Sequence, residues 1–273
     1  MVRYTCYRCS YGHKAPDGVP DLDACAMACA KMVRYVLEKE GDVAAVIAEP
    51  VRAVPYIPPP DFWQLVSEAC DDHGALLIFD EIPGGLGKTG AMFASENFGV
   101  VPDIAVLGKA LGRAAVPAPA VISKPELDVA GGVAFAFAFG HYTHEKNPLL
   151  CRAALTTIEI IEDEGLVENA RVQGARAQGR LHDMAARHPL IGNVRGLGLL
   201  MGIDLVDDHE TRTPALEAGD SILYRALGKG LSFKLTMGNV LTLTPPLTVT
   251  ADEMNTALGI FDECLCEEEA ARR

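Results

Sequence analysis

No run in this 273-residue chain approaches the ~20 consecutive apolar residues that cross a bilayer. The opening stretch, MVRYTCYRCSYGHK, has none of the apolar core that marks a secretory signal. Internal repeats and low-complexity segments are absent as well. Basic residues are scarce beside acidic ones, 24 Lys and Arg against 37 Asp and Glu. The net charge of −13 and pI near 5.0 argue against nucleic acid or an anionic membrane as partner. Eight cysteines with no export signal are expected to stay as reduced thiols, in a cytoplasmic protein. Apolar residues at 49% are enough for a real core.

Read in order, the chain alternates strand and helix. After an irregular start, Leu22, Cys25, Ala26, Cys29, Met32, Val33, Val36 and Leu37 recur at helical spacing, and Gly41 closes that helix. VAAVIAEP (43–50) reads as a buried strand. A proline-rich loop through Pro58, Pro59 and Pro60 follows. Asp61 is positioned to cap a helix whose apolar face is Phe62, Leu65, Val66, Ala69 and Cys70, ended by Gly74. ALLIFD, a short helical piece around Met92–Asn97, IAVLG, and the strand candidate APAVIS (118–123) complete an α/β layer with a mostly parallel sheet. From His141 the character changes. Asn147 and Pro148 start a long helical region closed by Pro189. A hairpin or bent strand pair over IGNVRGLGLLMGIDLV, a helix at 215–227 and the strand NVLTLTPPL lead to a final helix opened by a Thr250–Glu253 capping box. The expected division is 1–150 for a large α/β unit and 151–273 for a smaller α+β unit.

Several motifs fall short of the chemistry they imitate. Cys6-x2-Cys9 and Cys25-x3-Cys29 have zinc-like spacing, but Cys25 and Cys29 lie on the apolar stripe of their helix, where cysteine serves as a small hydrophobe. His141 and His144 lack third and fourth ligands at matching spacing, so no metal is expected. GLGKTG (85–90) imitates a phosphate loop, yet Ile82 stands where the first glycine is required. In RGLGLLMG, Met201 replaces the third glycine of a dinucleotide fingerprint.

The informative pattern is a pair of strands that each end on charge. ALLIFD delivers Asp80 and Glu81, and IAVLG delivers Lys109, 29 residues later, about one strand–helix–strand unit. Residues past the carboxyl ends of parallel strands line the ligand crevice of an open sheet. Two readings stand: an ion pair at the sheet edge, or a functional pair. Lysine forms imines with carbonyl cofactors, and a carboxylate facing a pyridinium nitrogen is the other requirement of pyridoxal phosphate chemistry.

At this point the residues resemble a known family. DEIPGGLGKTGAMFASENFGVVPDIAVLGKALG is similar to the signature region of the class III (ornithine/ω-type) aminotransferases, of pyridoxal-phosphate (PLP) fold type I. CYRCSYG, VAAVIAEPV, HYTHEKNPL, EIIEDEGLVENA, VRGLGLLMGIDL and LTPPLTVTADEM extend the likeness in family order. The resemblance implies the back part of the large PLP-binding unit followed by a smaller C-terminal one. It implies Lys109 as Schiff-base lysine and catalytic base, Asp80 as partner of the pyridine nitrogen, and Ile82 as the aliphatic residue against the ring. Thr143 is implied to reach the cofactor phosphate of the other subunit of a homodimer, and Glu49 to lie near substrate. The implied substrates are an amine or amino acid and a 2-oxo acid. Transamination, ammonia elimination and epimerisation all occur among such enzymes.

Three sites depart from the family pattern. Pro83 replaces a glutamine, Arg113-Ala114-Ala115 replaces a glycine run, and Thr242 replaces an arginine that grips a substrate carboxylate. The family's front half, with its phosphate-cradling loop, has no counterpart here. The expectation is a shortened relative or a fragment, with a non-catalytic chain that only folds and dimerises as the alternative.

Overall fold

The computed structural model describes residues 5–13, 15, 18–113, 115–127 and 146–273. Two sheets organise it. The first has the order β1 (Ala45–Ala48), β2 (Leu76–Asp80), β3 (Ile104–Leu107), β4 (Ala120–Ser123). β1, β2 and β3 run parallel and β4 antiparallel, as the strand–helix–strand rhythm implies. Phe79 and Leu77 point from β2 into a core built with α2 (Ala28–Glu40) and α3 (Phe62–His73). Trp63 is its centre. Its ring meets Phe62 and Phe79 edge-on at 4.9 and 4.8 Å, and its indole N–H donates to the Pro50 carbonyl at 2.9 Å.

The helix expected over 22–40 is broken. Leu22–Cys25 (α1) and α2 are separated by Ala26 and Met27, both left-handed with φ of 44° and 54°. Asp61 does occupy the N-cap position of α3, but at φ 63° and with no side-chain capping bond. VAAVIAEP is also corrected. It forms β1, but no residue of Ala45–Ala48 is fully buried and Ile47 is 67% exposed, because β1 is the edge strand of its sheet among the described residues.

The second sheet has the antiparallel order β5 (Ile191–Leu197), β6 (Leu200–Asp208), β9 (Val240–Leu243), β8 (Lys234–Thr236), with the two-residue β7 (Thr213–Pro214) beside β6. Its core includes Leu181, Met201, Ile203, Leu241, Leu258 and Phe261. The helices around it are α5 (Leu166–Ala185), α6 (Leu216–Gly228) and α7 (Ala251–Ala271). Ahead of α5, α4 (Pro148–Asp163) opens on the Asn147 cap, which accepts from the backbone N–H of Leu149 and Leu150, with Pro148 at its first position. The long expected helical region is therefore α4 and α5, separated at Gly165 (φ 60°). The Thr250–Glu253 capping box opens α7 as expected.

One backbone junction joins the two sheets. Gly198 turns from β5 to β6 at φ 55°, and a Cβ there would lie 2.4 Å from the Thr89 carbonyl carbon. The Leu199 N–H donates to the Lys88 carbonyl at 2.9 Å across the same junction. Gly198 of RGLGL thus permits close approach of backbones, while Gly196 makes room for the Gln178 and Met201 side chains.

Candidate active site

Asp80 is the last residue of β2 and pairs in register with Val106 of β3. Leu77 and Phe79 face the helices, so the alternation of the pleat turns Leu76, Ile78 and Asp80 to the opposite side of the sheet. Among the described residues, the Asp80 carboxylate accepts one hydrogen bond, from the Ile82 N–H at 3.0 Å, closing a small turn. Lys109 follows β3 after Gly108, which is extended, and adopts φ 42° as the first residue of a short 3₁₀ turn. A left-handed lysine is strained by ~1–2 kcal/mol, a cost found where a side chain has to be aimed. Its side chain is exposed. A Cβ built on Gly108 would lie 3.4 Å from Ile82 Cγ1, so Ile82 stands over the residue that precedes the lysine. Among the described residues, no ion pair within 4.0 Å joins Asp80 to Lys109, which removes the sheet-edge salt bridge as an account of the two.

Glu81, whose role the sequence does not reveal, anchors this arrangement. It is 1% exposed. Its carboxylate oxygens accept from the backbone N–H of Ala94 and Ser95, each at 2.8 Å, at the start of a 3₁₀ helix over Ala94–Phe98. Its own N–H donates to the Val106 carbonyl at 3.0 Å, and its carbonyl accepts from Gly85 at 2.8 Å. Burial pushes the Glu81 carboxyl upward, and the two N–H donors oppose that shift. The neighbouring acids therefore divide the work: Glu81 holds the loop to the sheet, and Asp80 stays half-exposed on the open side.

Lys88, the lysine of GLGKTG, serves structure. Its ammonium donates to the Pro245 carbonyl at 2.8 Å, and burial lowers it to about 8. Glu49 lies one residue beyond β1, where its carboxylate accepts from the Ala53 N–H at 2.8 Å. Thr242 is buried within β9 with its hydroxyl 3.1 Å from that of Thr236, so this threonine faces protein rather than an open cleft. Thr143, with His141 and His144, lies outside the described residues. Cys6, Cys9, Cys25 and Cys29 line one cavity of about 30 Å³ with Tyr11 and His13. Burial, reinforced by the other three cysteines, raises the Cys6 thiol to about 12. Among the described residues, the group with three ligand atoms within 4.8 Å of one another is His188, Asp262 and Cys266, where both His188 nitrogens meet carboxylates of α7.

Comparison with known proteins identifies the family and the fold. The family model "Aminotransferase class-III" matches residues 6–265. An (R)-1-hydroxy-2-aminoethylphosphonate ammonia-lyase of Vibrio splendidus is 41% identical over 92% of this chain and 52% of its own length. A leucine/methionine racemase of Thermococcus litoralis is 37% identical over 98% of this chain and 59% of its own. A 5-aminovalerate aminotransferase of Pseudomonas aeruginosa is 36% identical over 83% and 53%. Among solved structures, an aminotransferase of Bacillus anthracis superposes with a TM-score of 0.86 at 33% identity, covering 93% of this chain and 61% of that one. The chain spans little more than half the length of the curated relatives it matches. The fold is the α/β fold of the transaminases, PLP fold type I, and the chain belongs to the class III aminotransferase family.

Proposed function

We propose that this chain carries the lysine-bearing part of a PLP-dependent enzyme that moves an amino group between an amine or amino acid and a 2-oxo acid. The observation that carries the reading is the arrangement of Asp80, Ile82 and Lys109. An acid and an amine stand at neighbouring strand ends, unpaired with each other, with an aliphatic side chain over the residue between β3 and the lysine. These residues fit PLP. Lys109 would hold its aldehyde carbon, the free side of the Asp80 carboxylate would accept from the ring nitrogen, and Ile82 would pack on the ring. Thr143 of a second subunit is proposed to meet the phosphate in a homodimer. When bound, the cofactor supplies a sink for the electron pair released at the substrate's α-carbon. The amine of Lys109 then moves the proton at that carbon.

A second reading follows from the relatives themselves. The Vibrio splendidus protein is named an ammonia-lyase and the Thermococcus litoralis protein a racemase, and the buried Thr242 leaves no arginine at a position where several family members grip a substrate carboxylate. One assay separates the two. The chain with PLP is given an amine and a 2-oxo acid, and new amino acid, free ammonia and inverted substrate are measured together. New amino acid supports transamination. Ammonia or inversion without it supports the second reading, and none of the three in a chain shown to hold PLP contradicts both.

A further inference from the structure

His188 lies in the turn that follows α5. Its backbone N–H donates to the Met184 carbonyl at 2.9 Å, and its carbonyl accepts from the Ile191 N–H at 3.0 Å. Its side chain is buried against α7, with Nε2 2.6 Å from Asp262 Oδ1 and Nδ1 3.0 Å from Glu269 Oε2. A neutral imidazole carries one N–H, so it donates to only one of two carboxylates. Glu269 is fixed for that role, because its other oxygen accepts from the Leu190 N–H at 3.4 Å. With the Nδ1 proton given to Glu269, Nε2 turns a lone pair toward Asp262, and that contact is favourable only with a cation between the two. Cys266 stands at i+4 from Asp262 on the same face of α7, and Glu269 follows at i+7. The His188 nitrogen, an Asp262 oxygen and the Cys266 sulfur all lie within 4.8 Å of one another. Cys266 is exposed, so the cluster opens to solvent on the sulfur side. Arg187 donates to both oxygens of Asp262 at 3.1 Å. Asp262, Glu269 and a Cys266 thiolate together outweigh that single guanidinium, which leaves net negative charge for a dication.

We propose that His188, Asp262 and Cys266 bind a transition-metal dication of the zinc class. The donor set is one nitrogen, one oxygen and one sulfur, which zinc takes at about 2.0–2.3 Å. Those lengths set tetrahedral ligand atoms about 3.3–3.6 Å apart. That spacing falls between the 2.6 Å of the His188–Asp262 contact and the 4.8 Å that bounds the cluster. A small opening of the first and closing of the sulfur seats the ion. On binding, Nε2 and the carboxylate each give a lone pair, and the Cys266 thiol releases its proton to solvent and gives a thiolate. Glu269 positions the imidazole: by holding the Nδ1 proton it directs Nε2 at the ion and raises its basicity. The ion fastens α7 to the turn after α5, both packed on the second sheet, whereas Asp80 and Lys109 follow strands of the first. The inference rests on this cluster and on none of the cofactor assignments.

The test strips the full chain of metal with a chelator and titrates it with Co2+, without added PLP. A cobalt ion bonded to a thiolate shows a sulfur-to-metal charge-transfer absorption that free Co2+ lacks. The expected result is such a band, saturating at one ion per chain and removed by one equivalent of Zn2+. Cys266→Ser should abolish the band. Because Cys266 is exposed, the metal-free thermal unfolding of that variant should match the parent. Glu269→Gln keeps all three ligands, so it should keep the band while weakening Co2+ by about ten- to a hundredfold, the usual cost of losing a carboxylate behind a metal-bound imidazole. Three results overturn the proposal: no sulfur band, a band undiminished in Cys266→Ser, or a Co2+ affinity that Glu269→Gln leaves unmoved. None of these readings involves PLP, so a failed amino-transfer assay leaves the outcome intact.

Discussion

Asp80 and Lys109 stand at the ends of adjacent parallel strands, and no ion pair joins them. Asp80 is in register with Val106, three residues before the lysine, and its carboxylate is engaged by the Ile82 N–H alone among the described residues. Two opposite charges this near in a fold would gain from closing on each other if stability were their purpose. Removing the acid is therefore expected to cost the fold little and the cofactor much. Asp80→Asn should weaken PLP retention by about ten- to a hundredfold, the range for one hydrogen bond to a charged group. Equilibrium dialysis against PLP measures this, and a thermal melt within a few degrees of the parent separates binding from folding.

Glu81 predicts the opposite pattern. Its buried carboxylate accepts two backbone N–H groups, and an amide in its place directs N–H against at least one of them. Glu81→Gln should destabilise the chain by ~1–3 kcal/mol, read from urea unfolding. Burial raises the folded-state carboxyl above its ordinary value of 4.5, so the native state holds its proton more tightly than the unfolded one. The proton-linked part of its contribution is then fully present below that ordinary value and is lost as pH rises through the folded-state value. The Glu81→Gln variant should lack that part of the pH dependence.

Lys88 gives a second pH dependence at the other end of the scale. Burial lowers it to about 8 from an ordinary 10.5. Between those values the unfolded chain binds the proton that the folded chain has released, so stability should rise with pH across about 8 to 10.5. Lys88→Met should remove that slope, measured as unfolding midpoints in urea across the same range.

Gly174 tests the junction between the sheets. Alanine is the better helix former by ~1 kcal/mol, and Gly174 lies in the middle of α5. A Cβ there would stand 2.2 Å from the Gly198 carbonyl oxygen, which is backbone and cannot swing aside. Gly174→Ala should therefore destabilise by ~1–3 kcal/mol as an overpacked site. Gly179→Ala, on the same helix with open space around it, should not destabilise.

What could be read from sequence was local chemistry. LLIFD and IAVLG are apolar runs ending on charge, and both became strands that deliver Asp80 and Lys109 to neighbouring ends. The Asn147–Pro148 start and the Thr250–Glu253 box are written in adjacent residues and formed as read. The rest depends on tertiary context. Ala26 and Met27 are ordinary helix residues by composition, so nothing local signals their left-handed break. β8 is three residues long and gains its partner only from β9, too short for a period to register. VAAVIAEP looked buried because its composition suits burial, and only the sheet order places it at an edge. Glu81 was visible only as Asp80's neighbour, because its hydrogen-bond donors lie 13 and 14 residues away.

Whether Lys109 is the residue that holds PLP is decided by trapping the bound aldehyde on the lysine itself. The chain is incubated with PLP, reduced with borohydride, digested, and its peptides are analysed by mass spectrometry. The expected result is the phosphopyridoxyl mass on Lys109 alone, absent from Lys109→Ala, with Lys88 and Lys124 unlabelled. Label spread over other lysines, or equal uptake and retention of PLP by Lys109→Ala, would contradict it.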